Sequence, residues 1–189
     1  MEYRMSRLIV NQIQGDAVSK QIEIPTGHKL KVPGTPLQII TATTGIGTAT
    51  LFTFNGAARL GCVGAAITPK FTNSKILITG FVHGFINSAA QGGLGLELVS
   101  HPTTTFDDGS SVASATQLFA HEDTMFLNGQ QLMGNMPFQY EHSPGSTATI
   151  HYSVAVSENN LYANGTSQIN WSNGTTGGRS KIVLTEIAQ

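Results

Sequence analysis

The segment TATIHYSVAVS, residues Thr147 to Ser157, alternates between two kinds of side chain along its whole length. The positions on one side of the alternation are mostly large and apolar: Ala148, Ile150, Tyr152, Val154 and Val156. The positions on the other side are small or polar: Thr149, His151, Ser153, Ala155 and Ser157. Because successive side chains of a β-strand point to opposite faces of the sheet, this pattern predicts a strand with one face in a core.

The same two-residue period occurs in Lys75 to Ile86, but there both sides are largely apolar. We therefore predict a central strand that is covered on both faces. Gly80 and Gly84 fall on one of these faces, where glycines indicate either bulges or places of close backbone approach.

Several further segments have strand-like composition and are separated by clusters of Gly, Asn, Ser and Pro. They are Gln38 to Thr43, Thr48 to Phe54, Arg59 to Thr68, Leu94 to Val99, Thr116 to Ala120, Gln131 to Tyr140 and Lys181 to Ala188. Polar loops are predicted at Ser100 to Ser114, Glu141 to Ser146 and Asn159 to Arg179. About ten strands without helical patterning predict an all-β fold, namely a jelly-roll-like antiparallel β-sandwich with eight core strands.

The first part of the chain has a different character. Ser6 to Ile13 and Ile22 to His28 are short extended segments, and the turn Val32-Pro33-Gly34 follows them. No apolar run here is long enough to build a core, so we predict an extended N-terminal anchoring arm over residues 1–36 and a β-domain over residues 37–189. The predicted anchoring side chains of the arm are Leu8, Ile9, Val10, Ile13, Ile22 and Ile24.

Composition narrows the classes of function. Charged residues make up 11% of the 189 residues, against about 25% in a typical soluble domain. An uncharged polar surface suits permanent packing against neighbouring subunits or contact with carbohydrate, although an ordinary β-rich protein with polar faces is the simpler alternative. The net charge is −1 and there is no Lys/Arg run, so no nucleic-acid partner is expected.

Neither membrane insertion nor a disulfide is expected. No apolar run approaches the ~20 residues of a spanning helix, and the N-terminus has no signal-peptide pattern. Cys62 is the single cysteine, so no disulfide can form within the chain. It lies in an apolar run, which predicts a buried small hydrophobic side chain.

Candidate chemistry is sparse. The six histidines have no zinc-type spacing, and His121-Glu122-Asp123 lacks the second histidine that a helical zinc site needs. Asp107-Asp108-Gly109 could bind Ca²⁺ or form an Asx turn, and the turn is favoured because Asp and Gly form turns by themselves. Paired carboxylates for glycoside hydrolysis stay a weak alternative at Glu122 and Asp123. We therefore expect no catalytic residues, no metal, no cofactor and no enzymatic activity.

A glycan-contact loop is the remaining candidate site. Aromatic faces stack on sugar rings, and Asn side chains supply paired donors and acceptors. The candidate residues, all in the polar loop before the last strand, are Tyr162, Asn164, Trp171 and Asn173. The alternative is that Trp171 plugs one end of the sandwich, since a lone tryptophan is highly buried on average.

Four stretches together resemble a family of bacteriophage virion proteins, the tail-fibre-like proteins common in marine and cyanobacterial phages. They are Ser6 to Gln14, the Val32-Pro33-Gly34 turn leading into Leu37-Gln38-Ile39-Ile40, Ala66 to Ile78, and Arg179 to Ala188. The resemblance covers the chain nearly end to end, and its most specific part is Thr68-Pro69-Lys70-Phe71 with Ser74-Lys75-Ile76-Leu77-Ile78.

The resemblance implies a jelly-roll-like β-domain in a virion, usually a homotrimer, assembled in the host cytoplasm. Its implied partners are further copies of itself, other tail or capsid proteins through the arm, and a host surface glycan. The chain is short for a full fibre and has no shaft repeat. We therefore expect a tail-fibre or fibre-adaptor component that contributes to host adsorption; the alternatives are a capsid decoration or cement protein, and a carbohydrate-binding or carbohydrate-active protein.

Overall fold

All regular structure in the described part of the chain is β-strand. The computed structural model describes residues 32–44, 52–54, 59–88, 91–128, 131–158, 165–169 and 178–189. Pro33–Gln189 forms one unit. The strands are β1 (Pro36–Thr43), β2 (Phe52–Phe54), β3 (Leu60–Ile67), β4 (Lys75–Ser88), β5 (Gln91–His101), β6 (Thr116–Asn128), β7 (Gln131–His142), β8 (Ile150–Glu158), β9 (Gly165–Ile169) and β10 (Lys181–Ile187).

The strands form two antiparallel sheets, which we name after their central members. In the β4 sheet the strand order is β1-β10-β4-β7, and β2 and β9 extend the same sheet beside the second half of β4. In the β8 sheet the order is β3-β8-β5-β6. The β4 sheet thus has six strands, which lie in four lines, and the β8 sheet has four; with the chain crossing repeatedly between the sheets, they form the predicted jelly-roll sandwich. The fold class is therefore confirmed.

The core lies between the two sheets. From the β4 sheet, Ile78, Val82 and Leu184 are fully buried, and from the β8 sheet Leu98 and Val154 meet them. All five side chains point from their strands into the core. The Tyr152 side of β8 is therefore its inner face, as the alternation predicted. Cys62 is also fully buried, and burial raises the pKa of its thiol, as expected of a small core side chain.

The other face of β8 is also covered, which the alternation did not predict. Ser153 and Ala155 are buried because the segment 102–115 lies across them. Phe106 and Val112 from this segment pack on Val99 and Ala155 in a second, smaller apolar cluster. The segment approaches closely because Gly61 has no side chain: a Cβ there would lie 2.5 Å from the carbonyl oxygen of Phe106.

A hydrogen bond fastens this segment to β8. The Phe106 amide donates to Ser153 Oγ at 2.8 Å, and both groups are buried. Replacing Ser153 with alanine leaves the Phe106 amide without its acceptor, so we expect about 1 to 2 kcal/mol of destabilisation. Urea unfolding checks this value, with Ser146→Ala as the exposed control. If Ser153→Ala lowers the free energy of unfolding no more than Ser146→Ala does, the hydrogen bond does not stabilise the fold as proposed.

β4 is central, as predicted, but only its inner face is fully buried. Leu77 and Phe81, on the outer face, are half-buried, so the prediction of a strand covered on both faces is wrong for that side. The prediction for Gly80 is confirmed, since a Cβ there would overlap the carbonyl oxygen of Lys181 on β10. No bulge accompanies it, because the pairing of β4 with β7 is in register from Ile76 to Asn87.

β9 corrects the predicted loop from Asn159 to Arg179. Gly165–Ile169 has one large apolar residue, so its sequence shows no alternation, yet it pairs with Gly84 to Ser88 of β4. The existing sheet edge recruits the segment, which is how tertiary context overrides weak strand propensity. The two other predicted loops agree with the structure, apart from shifts of a few residues at the end of β5, the end of β7 and the start of β8.

A buried carboxylate organises the β3–β4 turn. Glu186 on β10 is fully buried, and its two oxygens accept hydrogen bonds from Gln38 Nε2 at 2.7 Å and from the Lys70 amide at 2.6 Å. Gln38 Nε2 also donates to the Thr68 carbonyl, and Lys70 Nζ donates to the Leu37 carbonyl at 2.8 Å. The Thr68-Pro69-Lys70 stretch of the β3–β4 connection is therefore tied to β1 and to the last strand.

Candidate interaction surface

The side chains singled out from the sequence as sites lie outside the described residues. This holds for the glycan-contact candidates Tyr162, Asn164, Trp171 and Asn173. It holds as well for the arm positions Leu8, Ile9, Val10, Ile13, Ile22 and Ile24. Both sets stay predictions, and the structure instead shows where the chain enters and leaves the segments that carry them.

Trp171 and Asn173 belong to the segment between β9 and β10, whose two ends lie beside the middle of β4, whereas Tyr162 and Asn164 precede β9. Ile169, the last residue of β9, pairs with Gly84, and Lys181, the first of β10, pairs with Phe81. β9 and β10 therefore follow one line along the same edge of β4, and the chain leaves that line between them. Both attachment points of this segment are therefore within the sheet.

The next line of strands in the sheet, formed by β1 and β2, is interrupted at the same position as the line formed by β9 and β10. β1 pairs with β10 and β2 pairs with β9, so β1 and β2 also follow one line with a break between them. Thr44 directly follows β1 and Ser180 directly precedes β10, so both residues border the breaks. The Thr44 amide donates to the Ser180 carbonyl at 3.0 Å, and the Ser180 amide donates to Thr44 Oγ1 at 2.9 Å. Ser180 Oγ in turn accepts from the His83 amide at 3.0 Å, which joins the breaks to β4.

The outer face of the β4 sheet is the main apolar surface of the described residues. We define the outer β4-sheet face as the outward side chains of its four core strands between the levels of Lys75 and Phe85. Ile39 is 62% exposed and Met133 is 53% exposed, and the central apolar members are half-buried. The large apolar members are Ile39, Leu77, Phe81, Phe85, Met133, Pro137, Val183 and Ile187.

Register makes these apolar side chains contiguous. Leu77 and Ile39 flank Thr185 in one row across the sheet, and Val183 lies between two threonines in the next row. Phe81 and Pro137 are direct partners one row further on. The apolar side chains are therefore diagonal neighbours separated by threonines, and since outward positions of a solvated sandwich are normally polar, this patch indicates a contact surface.

The charges on this face are few and of both signs. Lys75 Nζ and Glu141 Oε1 form an exposed ion pair at 2.6 Å at one end. Lys181 lies in the row of Phe81 and is half-buried. The central rows are otherwise uncharged, so a partner need not strip water from many ions when it binds there.

A recess lies at one end of the sandwich, between the β5–β6 and β7–β8 connections. It has a volume of about 210 Å³ and is lined mainly by Ser, Thr and Pro side chains around His101. His101 Nδ1 accepts hydrogen bonds from the amides of Thr103 and Thr104 at 3.2 and 3.0 Å. Its lining offers hydroxyl and ring contacts.

Two of the remaining chemical candidates, Asp108 and His142, have structural partners, whereas the side chains of Glu122 and Asp123 lie outside the described residues. Asp108 Oδ1 accepts from the Ser110 amide at 3.0 Å beside Gly109, which has φ +86°, so the Asx turn favoured from the sequence is confirmed. His142 Nδ1 lies 2.7 Å from the Tyr152 hydroxyl, and burial lowers the pKa of His142. Among the described residues no group of three or more His, Cys, Asp or Glu could hold a metal ion.

Two buried carboxylates were missed by sequence reasoning. Glu97 on β5 is 6% exposed, and its Oε2 lies 2.6 Å from Arg59 Nε. Burial raises the pKa of Glu97, and the Arg59 guanidinium opposes that rise. Glu186 has the network described above. Both are isolated acidic residues in otherwise ordinary strand sequences, and only their pairing with residues distant in sequence reveals their role.

No protein-family model matches this chain, and no curated protein matches it. Among solved structures, it is similar to the VP2 subviral particle of infectious bursal disease virus, with 15% identity, a TM-score of 0.44, and coverage of 89% of this chain and 37% of that chain. The structure of the Gx strain of the same virus gives 15% identity, a TM-score of 0.32, and coverage of 89% and 41%. This chain thus spans about two fifths of the length of those chains. Within the described residues, no helix is long and apolar enough to cross a membrane.

Proposed function

We propose that this chain is a non-enzymatic structural protein of a bacteriophage virion, a tail-fibre or fibre-adaptor component that assembles as a trimer and contributes to host adsorption. The observation that carries the proposal is the outer β4-sheet face. A patch of large apolar side chains on the outside of a domain that already has its own core suits assembly with another subunit. The resemblance of the sequence to tail-fibre-like virion proteins points to the particle in which it assembles.

The attachment of the arm supports the same function. The Gly34 amide donates to the Ala188 carbonyl at 2.8 Å, and the Ala188 amide donates to the Thr35 carbonyl at 3.0 Å. These bonds clamp Gly34 and Thr35, at the start of the β-domain, to the end of its last strand. A firm attachment point of this kind suits an arm that transmits load to other tail or capsid proteins.

The number of copies per particle tests the proposal. Quantitative mass spectrometry of purified virions measures this chain against the major capsid protein. We expect a few copies per hundred capsid subunits or fewer, which is the ratio of a tail component. A ratio that approaches one copy per capsid subunit would overturn the tail assignment and establish a capsid decoration protein.

The absence of enzymatic activity is tested separately. Purified protein is incubated with surface polysaccharide of the host, and the polymer length is followed by size-exclusion chromatography. We expect no shortening of the polymer. Shortening by the protein alone would overturn the non-enzymatic assignment in favour of a carbohydrate-active protein.

A further inference from the structure

We propose that the recess at the end of the sandwich binds one neutral sugar ring. The inference deepens the function proposed above and rests on it for the expectation that the sugar belongs to a surface glycan of the host. The recess is formed by the β5–β6 and β7–β8 connections and by the strand ends beside them. It is therefore a different site from the glycan-contact residues predicted from the sequence.

His101 is held in one orientation and one tautomer at this recess. Its Nδ1 accepts hydrogen bonds from the amides of Thr103 and Thr104, and its ring packs edge-on against Phe106 with the ring centroids 5.5 Å apart. Because two N–H groups point at Nδ1, the proton of the neutral ring must be on Nε2. None of the described residues accepts a hydrogen bond from Nε2, so this N–H is a donor that a ligand can use.

The rest of the lining combines hydroxyl groups with apolar rings. A hydroxyl group both donates and accepts hydrogen bonds, and Pro102 and Pro144 bring apolar ring surfaces. A sugar ring has hydroxyl groups around its edge and C–H groups on its faces, so it matches both kinds of surface. The residues that bring the hydroxyl groups are Ser100, Thr116, Ser146 and Thr149.

The electrostatics of the recess favour an uncharged ligand. Among the nine described residues that line it, none is Asp, Glu, Lys or Arg. A charged ligand would lose part of its hydration there without gaining a counter-charge, and that loss is costly. Apolar surface with a few placed polar groups is the usual lining of a small-molecule site.

The recess is small and already formed. Its volume of about 210 Å³ lies below the ~300–1,000 Å³ of pockets that hold larger ligands, so we expect a single ring to occupy it. Ser146 Oγ accepts from the Ala148 amide at 3.0 Å, and Gly145 has φ +66°, a conformation that favours glycine. These features fix the turn before β8, so little chain has to be ordered when a ligand binds.

Saturation-transfer NMR with the purified full chain tests the proposal. The probes are the methyl glycosides of glucose, galactose, mannose and N-acetylglucosamine, each titrated to about 20 mM because a site for one ring has millimolar affinity. We expect at least one of them to bind, with its ring protons receiving saturation from the protein. Absence of transfer to all four would overturn the proposal.

Two matched pairs of variants locate the site. Ala148→Phe fills the recess and should weaken binding at least about 10-fold, whereas Ala120→Phe, at an exposed position of β6, should bind as the wild type does. Thr116→Val keeps the side-chain shape but removes a hydroxyl group, so affinity should fall about 3- to 10-fold. Thr79→Val, outside the recess, should leave it unchanged. Thr116 is exposed, so its variant still reports on the site if Ala148→Phe does not fold.

The outcomes separate this inference from the proposed function. If a sugar binds but Ala148→Phe and Thr116→Val bind it as tightly as the wild type, the recess is not the site, while a role in the virion stands. If the recess binds a sugar but the chain is missing from purified particles, the virion role is wrong while the sugar site stands.

Discussion

Replacing Gly80 with valine is expected to lower the free energy of unfolding by about 3 kcal/mol, the upper part of the range for overpacked interiors. A Cβ at Gly80 overlaps the carbonyl oxygen of Lys181 and lies 2.7 Å from Phe138 Cζ. The Lys181 oxygen belongs to the backbone of β10 and cannot rotate away as a side chain would. The pairing of β4 with β10 must therefore open locally to accommodate the valine.

Urea unfolding followed by circular dichroism measures this loss. Thr79→Val is the matched control, because it adds no atoms at the neighbouring outward position of the same strand and should stay within about 0.5 kcal/mol of the wild type. Both proteins are compared at low concentration, so that assembly does not contribute. A loss below about 1 kcal/mol in Gly80→Val would show that β10 yields easily, against the close approach described above.

Replacing Glu186 with glutamine is expected to cost about 2 to 3 kcal/mol at neutral pH, since hydrogen bonds to a charged group are stronger than neutral ones. The glutamine keeps the shape but loses the charge, and its amide group can present a donor to the Lys70 amide. Three strands and the β3–β4 turn share this carboxylate, so the loss should be cooperative. Glu141→Gln, in an exposed ion pair, should cost less than about 1 kcal/mol.

The pH dependence of this difference has a definite sign. Burial disfavours the charged form of Glu186, but hydrogen bonding by Ser74, the Lys70 amide and Gln38 outweighs it, so the pKa lies below its ordinary value of 4.5. A carboxyl group with a lowered folded pKa stabilises the protein above its unfolded pKa, and this contribution is lost as the pH falls through the folded pKa. The gap between wild type and Glu186→Gln should therefore narrow below about pH 4.5. A gap that widens in acid would contradict the network.

The sequence predicted the structure correctly where the alternation of side chains along a single strand determines which face is buried. The alternation around Tyr152 predicted β8 and its inner face, and the glycine at position 80 predicted a bulge or a close backbone approach, of which the structure has the second. These features are local, because strand period and the lack of a Cβ act within a few residues. Together with the turn-rich segments between the strands, they were enough to predict a jelly roll.

What sequence reasoning missed depends on contacts between distant parts of the chain. β9 has almost no apolar alternation, and it is a strand because the edge of β4 is there to pair with it. Glu186 looks like an ordinary polar position until the turn around Lys70 closes over it. The second cover of Ala155 is supplied by Phe106, nearly fifty residues earlier in the chain. Neither segment contains a sequence pattern that predicts such a contact.

The line formed by β1 and β2 and the line formed by β9 and β10 are interrupted at the same position of the β4 sheet, so the domain has two insertion sites within one sheet. Thr44 and Ser180 hold each other at the root of both breaks, so the ends of each inserted segment are set by the sheet and not by the insert. Lengthening an insert then costs mainly chain-closure entropy, about 0.6 kcal/mol for each doubling of its length. The domain can therefore carry foreign peptides at mid-sheet and keep the jelly-roll core that supports them.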